Sequence, residues 1–283
     1  MKSTAVAFDF DGTLIRGGPD KGIHILYAAW VACRENGFQE AVHPDNLSLD
    51  LERMTRAYLR YPGAPRFQQL SAIVNCLLND QPVAVSLPAQ LGIRPELQKA
   101  YENLSRHYND LYSALNDVAA RKYWAPYPRV KDTLREISVR FDLYIASGVT
   151  QEILENDFTC HGFDRALFQE VWGGNTQGGS DKGEILLRIK TRGYASLLFV
   201  GDSIKDLEYA RLAGANFFRI QSDDSYRELL QALRSDRLPD EQTPWNYTPE
   251  QIELYLHKTR RPLEACVAGT PMSAEQICDW INS

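Results

Sequence analysis

Residues 5–13 read Ala-Val-Ala-Phe-Asp-Phe-Asp-Gly-Thr, and no other stretch constrains the fold as tightly. The apolar run at 5–8 predicts a buried strand, and it ends in two carboxylates, Asp9 and Asp11, one residue apart. Gly12 then lets the backbone turn sharply, because it has no side chain to clash at unusual φ. Side chains alternate across a strand, so Asp9 and Asp11 converge on one point only if the chain bends between or just after them. Alone, the stretch is either an acidic turn or a metal and nucleophile site. The rest of the chain has to decide.

From residue 126 onward, apolar runs alternate with amphipathic ones. Strands are expected at 141–147, at a short pair Val171-Trp172, at 196–200 and at 216–220. Helices are expected at 130–139, from about 149 to 158, from 182 to 189 and at 204–213, with Gly214 at the helix C′ position. Strands alternating with helices predict an α/β fold, a parallel sheet covered on both faces. Between 22 and 124 the texture differs. Helical spacing recurs at 24–34, 49–59, 67–78 and 95–120, punctuated by Pro62-Gly63-Ala64-Pro65 and Gln81-Pro82. This segment reads as an all-helical insert. The tail from Gln221 reads as helical again, and Thr248-Pro249-Glu250-Gln251 and Ser273-Ala274-Glu275-Gln276 each have the form of a capping box. The division expected is a core of 1–15 and 126–220, a helical cap of 16–125, and a C-terminal extension of 221–283 packed on the core.

A chain of 283 residues fits two domains, or one with a large insert. The net charge of -6 offers no footprint for nucleic acid or an anionic membrane, and no run of about 18 apolar residues predicts a membrane span. The five cysteines, Cys33, Cys76, Cys160, Cys266 and Cys278, are scattered and show neither a disulfide framework nor a CxxC metal site. Residues 1–4 run straight into the first strand without a signal-peptide pattern, so a reducing cytoplasm is the expected compartment.

In an open parallel sheet, ligands bind outside the carboxyl ends of the strands. This chain puts Asp9 and Asp11, Ser147, and Asp202 at those ends, and Lys182 at the start of a helix facing the same edge. Asp206 lies one helical turn after Asp202 and can face the same point. Like charges about 4 Å apart repel by roughly 4 kcal/mol at an effective dielectric of 20, so a pocket of four carboxylates calls for a cation. Hard oxygen donors without His or Cys point to Mg2+. Ser147, read alone, would serve equally as a helix N-cap, and Lys182, read alone, as a surface lysine. Together with the free amides at a helix start they form a phosphate cradle. The glycines of 173–179 spell no dinucleotide or Walker motif and read as a flexible loop.

Asp-Phe-Asp-Gly-Thr near the start, Ser147 after an apolar strand, Lys182, and Gly-Asp-Ser-x-x-Asp at 201–206 come in the order of the four motifs of the haloacid dehalogenase superfamily. The chain resembles the phosphatase branch of that family with a C1-type helical cap, the phosphoglycolate phosphatase-like members. The resemblance implies a Rossmann-like doubly wound sheet with the cap inserted after the first motif. It implies Asp9 as nucleophile forming an aspartyl-phosphate, and Asp11 as general acid and base. Gly12, Thr13, Ser147, Gly148 and Lys182 would bind the phosphoryl group. Mg2+ would be held by Asp9, the backbone carbonyl of Asp11, Asp202 and Asp206. Family members acting on halides lack the second acid, so Asp11 favours phosphate esters. The implied substrate is a small phosphorylated metabolite, with no nucleic acid or membrane partner and a monomer or homodimer as the assembly. A phosphomutase on the same fold, and a non-catalytic module that kept the shape, are the alternatives.

Arg16, just past the first motif, is the candidate for substrate contact outside the phosphate. Arg53, Arg56, Arg60 and Arg66 in the insert, with Tyr58, Tyr61, Tyr101, Tyr108, Tyr112, Tyr123 and Trp124, would suit an anionic substrate end. Their helical spacing fits a solvated face better. His24 and His107 read as packing or surface residues.

Overall fold

The computed structural model describes residues 2–39, 41–42, 44–64, 66–84, 98–174, 182–235, 238–270 and 272–283. Pro65, Pro95, Asp181 and most of the glycine-rich stretch at 173–179 lie outside the described residues. In chain order the elements are β1 (Thr4–Phe8), α1 (Gly18–Glu35), α2 (Leu47–Tyr58), α3 (Arg66–Asn79), α4 (Gln98–Lys122), α5 (Val130–Arg140), β2 (Asp142–Thr150) and α6 (Gln151–Cys160). They continue with β3 (Phe168–Gly174), α7 (Lys182–Lys190), β4 (Ser196–Gly201), α8 (Ile204–Ala213), β5 (Asn216–Arg219), α9 (Ser225–Arg234), α10 (Pro249–Val267) and α11 (Ala274–Asn282). The chain divides into two compact units, Met1–Gly18 with Trp124–Trp245, and Pro19–Tyr123 with Asn246–Ser283.

The first unit is built on a parallel five-stranded sheet of order β3-β2-β1-β4-β5. Its central strand β1 is apolar on both faces because both are covered, and Ala5, Val6, Ala7 and Phe8 are all fully buried. Ile185, Leu186 and Ile189 of α7 and Leu207 and Ala210 of α8 pack with Tyr144, Phe199 and Phe217 of the sheet to form the core on one side. The chain order and parallel pairing agree with the doubly wound α/β reading. Two details depart from it. The strand expected to stop at Ser147 runs on to Thr150, because Thr150 still pairs with Gly174 of β3 across a register shift. The tail is also not helical throughout. After α9, residues 238–248 form no helix, and 240–245 run along the edge strand, where Glu241 N–H donates to the Phe217 carbonyl at 2.8 Å and the Trp245 ring stacks on Phe217 at 6.2 Å. That strap covers a sheet edge that would otherwise present unpaired backbone groups.

The second unit is all helical in its described residues. Here the expectation that 221–283 packs on the core is corrected for its last part. Both α10 and α11 belong with the helical unit, α10 against α2 and α11 against α4. The Tyr255 ring meets Tyr58 edge-on at 5.6 Å, the Cys278 thiol donates to the Leu115 carbonyl at 3.3 Å, and Lys122 pairs with Glu275 and Asp279. An amphipathic stripe reveals that a helix is buried on one face, and not against which partner. Both capping boxes form as expected, at Thr248 with Gln251 and at Ser273 with Gln276. Among the described residues no helix is long and apolar enough to cross a membrane.

Candidate active site

Strand register brings the acids together. Phe8 pairs with Ile145 on one side and Val200 on the other, so Asp9, Ser147 and Asp202 all lie one or two residues past that line. They share the carboxyl edge of the sheet, where open α/β sheets bind ligands. The chain turns immediately after Asp9. Leu14 N–H donates to the Phe10 carbonyl at 2.8 Å and Gly12 N–H to the Ile15 carbonyl at 2.9 Å. Gly12 is required there twice over. Its φ of +79° is left-handed, and a Cβ at this position would come within 2.4 Å of the Asp202 carboxylate.

Among the described residues, Asp9, Asp202 and Asp206 each place a carboxylate oxygen so that all three oxygens lie within 4.8 Å of one another. Lys182 joins them. Its ammonium bridges Asp9 Oδ1 and Asp206 Oδ1 at 2.7 Å each, and the side chains of Lys182, Asp9 and Asp206 are at most 4% exposed. A lysine so enclosed is not a surface residue. Asp206 is held from its other side as well. Its Oδ2 accepts from the Ser203 N–H at 3.0 Å and the Ser203 hydroxyl at 2.7 Å, in the capping box that starts α8. Gly201 makes room for it, since a Cβ there would meet the Asp206 side chain at 2.6 Å. The hydroxyl of Thr13 donates to Asp202 Oδ1 at 3.4 Å and ties the turn to the same group.

The electrostatics follow from this crowding. Burial pushes the Asp9 carboxyl up to about 7; Lys182 opposes the rise, and Asp206 and Asp11 add to it. Burial, then the charges of Asp206 and Asp9, hold Asp202 well above the usual carboxylate range. Burial alone would lower the Lys182 ammonium, but Asp206 and Asp9 outweigh it and hold it above the ordinary lysine value. One ammonium among three carboxylates leaves negative charge in excess, and an all-oxygen donor set is what a hard divalent cation binds. The residues fit Mg2+.

The other expected residues fall in different places. Asp11 contributes no side-chain oxygen to the carboxylate group. Ser147 is buried, and its hydroxyl accepts from Val149 N–H at 3.4 Å. It does not cap the following helix, because Thr150 does, accepting from Ile153 N–H. Gly148 follows it at the exposed end of the strand. Arg16 makes a two-pronged ion pair with Asp223, at 2.7 and 2.6 Å, and lies over the Tyr127 ring. In the helical unit, Arg53 and Arg56 pair with Asp80, Arg66 lies over Tyr112, and Tyr108 stacks on Tyr112. Those side chains serve the helical unit's own packing and surface. Residue spacing gave no hint of Tyr127 and Tyr226, whose hydroxyls donate to the carbonyls of Gly12 and Thr13. No local pattern marks a side chain that arrives from elsewhere in the fold.

The model of one family, described as haloacid dehalogenase-like hydrolase, matches residues 4–214. A phosphoglycolate phosphatase of Vibrio cholerae is 26% identical over 247 residues, covering 85% of this chain and 95% of its own. One of Vibrio vulnificus is 24% identical over 240 residues, covering 83% and 91%. The crystal structure of a hydrolase from Pseudomonas syringae superposes with a TM-score of 0.48 at 16% identity, covering 89% of this chain and 90% of that one.

Proposed function

The chain belongs to the haloacid dehalogenase-like hydrolases, and from that premise we propose that it hydrolyses a small phosphate monoester through an aspartyl-phosphate on Asp9. The observation that carries the reading is the buried Asp9–Lys182–Asp206 bridge beside Asp202, with a second acid two residues after Asp9. The phosphoglycolate phosphatases among the relatives support the same class of substrate, a small phosphorylated metabolite.

In this reading an Asp9 carboxylate oxygen bonds to phosphorus as the bond from phosphorus to the leaving oxygen breaks, and Asp11 delivers the proton that oxygen needs. Water deprotonated by Asp11 then attacks the acyl phosphate, releasing inorganic phosphate and restoring Asp9. Lys182 keeps Asp9 oriented and offers its ammonium to the phosphoryl oxygens, while Asp206 holds Lys182 in place. Ser147, Gly148 and the amide of Thr13 complete the phosphate cradle, with Gly12 shaping the turn while its own amide serves the Ile15 carbonyl. Asp9, the Asp11 carbonyl and Asp202 would hold Mg2+, with Asp206 beside them. When bound, the ion would neutralise charge developing on the phosphoryl oxygens.

The test is phosphate release from a panel of phosphomonoesters that includes phosphoglycolate, sugar phosphates and nucleotides, with and without Mg2+. Turnover should require the metal and vanish in Asp9→Asn. Asp11→Asn should slow it by roughly 10²–10⁴-fold, the usual worth of general acid–base help. An Asp9→Asn protein that kept near wild-type turnover would sink the nucleophile assignment.

A further inference from the structure

Two tyrosines from distant parts of the chain hold the turn that follows Asp11. The Tyr127 hydroxyl donates to the Gly12 carbonyl at 3.2 Å, and the Tyr226 hydroxyl donates to the Thr13 carbonyl. Tyr127 lies just ahead of α5, and its own N–H donates to the Leu14 carbonyl at 3.2 Å. Tyr226 lies in the first turn of α9 and is fully buried. The two rings lean on each other, with centroids 5.6 Å apart.

A trans peptide unit is planar, and its C=O and N–H point in opposite directions. Fixing the Gly12 carbonyl therefore fixes the direction of the Thr13 N–H. Fixing the Thr13 carbonyl does the same for the Leu14 N–H, which closes the turn by donating to the Phe10 carbonyl at 2.8 Å. The two peptide planes after Gly12 thus depend on phenol hydroxyls, which are protonated donors at neutral pH. They need such an external hold, because the glycine beside them has the softest backbone available.

Resting on the phosphatase reading, we propose that Tyr127 and Tyr226 are positioning residues for phosphoryl transfer. They set the direction of the Thr13 amide toward the phosphoryl oxygens and keep the segment carrying Asp11 from shifting as the leaving group departs. Neither touches the reacting atoms. Their contribution should accordingly show in the rate of the step more than in substrate affinity.

The variants Tyr127→Phe and Tyr226→Phe remove one hydroxyl each and keep the ring pair. Tyr194→Phe is the control, because its hydroxyl donates to Asp142 at 3.0 Å, at the start of β2 and the far edge of the sheet. Loss of one aligned hydrogen bond in the transition state should lower kcat by about tenfold in each clamp variant and move KM by less than about threefold. Tyr194→Phe should lower the melting temperature and leave kcat at the wild-type value. Amide exchange of the 10–16 segment, followed by mass spectrometry, should quicken in both clamp variants and not in the control. Wild-type kcat in both clamp variants, or a kcat loss that Tyr194→Phe shares, overturns the proposal. Wild-type protein that hydrolyses no ester overturns the phosphatase reading instead. The clamp is then judged on exchange alone, and unchanged exchange in both variants overturns it. Should Tyr226→Phe fail to fold, Tyr127→Phe at its half-buried position decides the matter.

Discussion

Acidifying the protein from pH 7 to pH 5 should cost it about 2 kcal/mol of stability through one side chain, His24. This histidine lies on α1 in the helical unit and is fully buried. Its Nδ1 is 2.7 Å from Asn116 Oδ1 on α4, and the Cys278 sulfur of α11 lies 3.9 Å from Nε2. Burial drives its pKa from 6.5 to about 4, against the Asn116 hydrogen bond and with the help of the Lys21 charge one turn away. The folded state therefore resists a proton that the unfolded chain accepts near 6.5. The stabilisation is fully present above that value and is lost as the pH falls toward about 4. Urea titrations followed by circular dichroism at pH 7, 6 and 5 would measure it in wild-type protein and in His24→Gln. The variant starts from lower stability but should lose less on acidification, and the difference between the two slopes belongs to His24. Equal slopes would refute the reasoning, because they would mean that the buried imidazole takes its proton without unfolding.

Other outcomes follow from the site and the helix ends. Gly12→Ala should fold yet lose most turnover and need more Mg2+ for half activation, because a Cβ there meets the Asp202 carboxylate at 2.4 Å. Kinetics against metal concentration would show it, and a wild-type metal requirement would contradict the close approach. Adding Mg2+ should raise the melting temperature, by mass action on the folded state, with about 2.7 kcal/mol gained at a hundred times Kd. Asp202→Asn should abolish most of that rise in a thermal scan. Thr248→Ala removes the side-chain cap of α10 and should lower stability by about 1 kcal/mol in a denaturant titration.

What could be read from the residues was whatever is encoded locally. Helix α8 spans the expected 204–213, with Gly214 left-handed at φ 59°, because its start and stop signals lie within its own few residues. The acids at the strand ends were legible for the same reason, since a parallel sheet sends all its carboxyl ends to one edge. The end of β2 was not. Gly148 looks like a stop, and only the pairing of Thr150 with Gly174, distant in the chain, carries the strand onward and moves the cap from Ser147 to Thr150. The partners of α10 and α11, and the reach of Tyr127 and Tyr226 to the turn, are long-range facts of the same kind. The Arg16–Asp223 pair joins residues 207 positions apart, beyond any spacing rule.

The assignment of α10 and α11 to the helical unit also sets an order of assembly during synthesis. The helical unit is begun before most of the sheet unit and completed after it, since Trp124–Trp245 must be made before Asn246–Ser283 can join Pro19–Tyr123. At ordinary elongation rates that wait is roughly ten seconds, far longer than helices and collapsed cores take to form. During it, the faces of α2 and α4 that later receive α10 and α11 are bare. The sheet unit, by contrast, has all its strands and its edge strap once Trp245 is made. A ribosome-bound chain of this protein would carry a finished α/β unit and a helical one still waiting for α10 and α11.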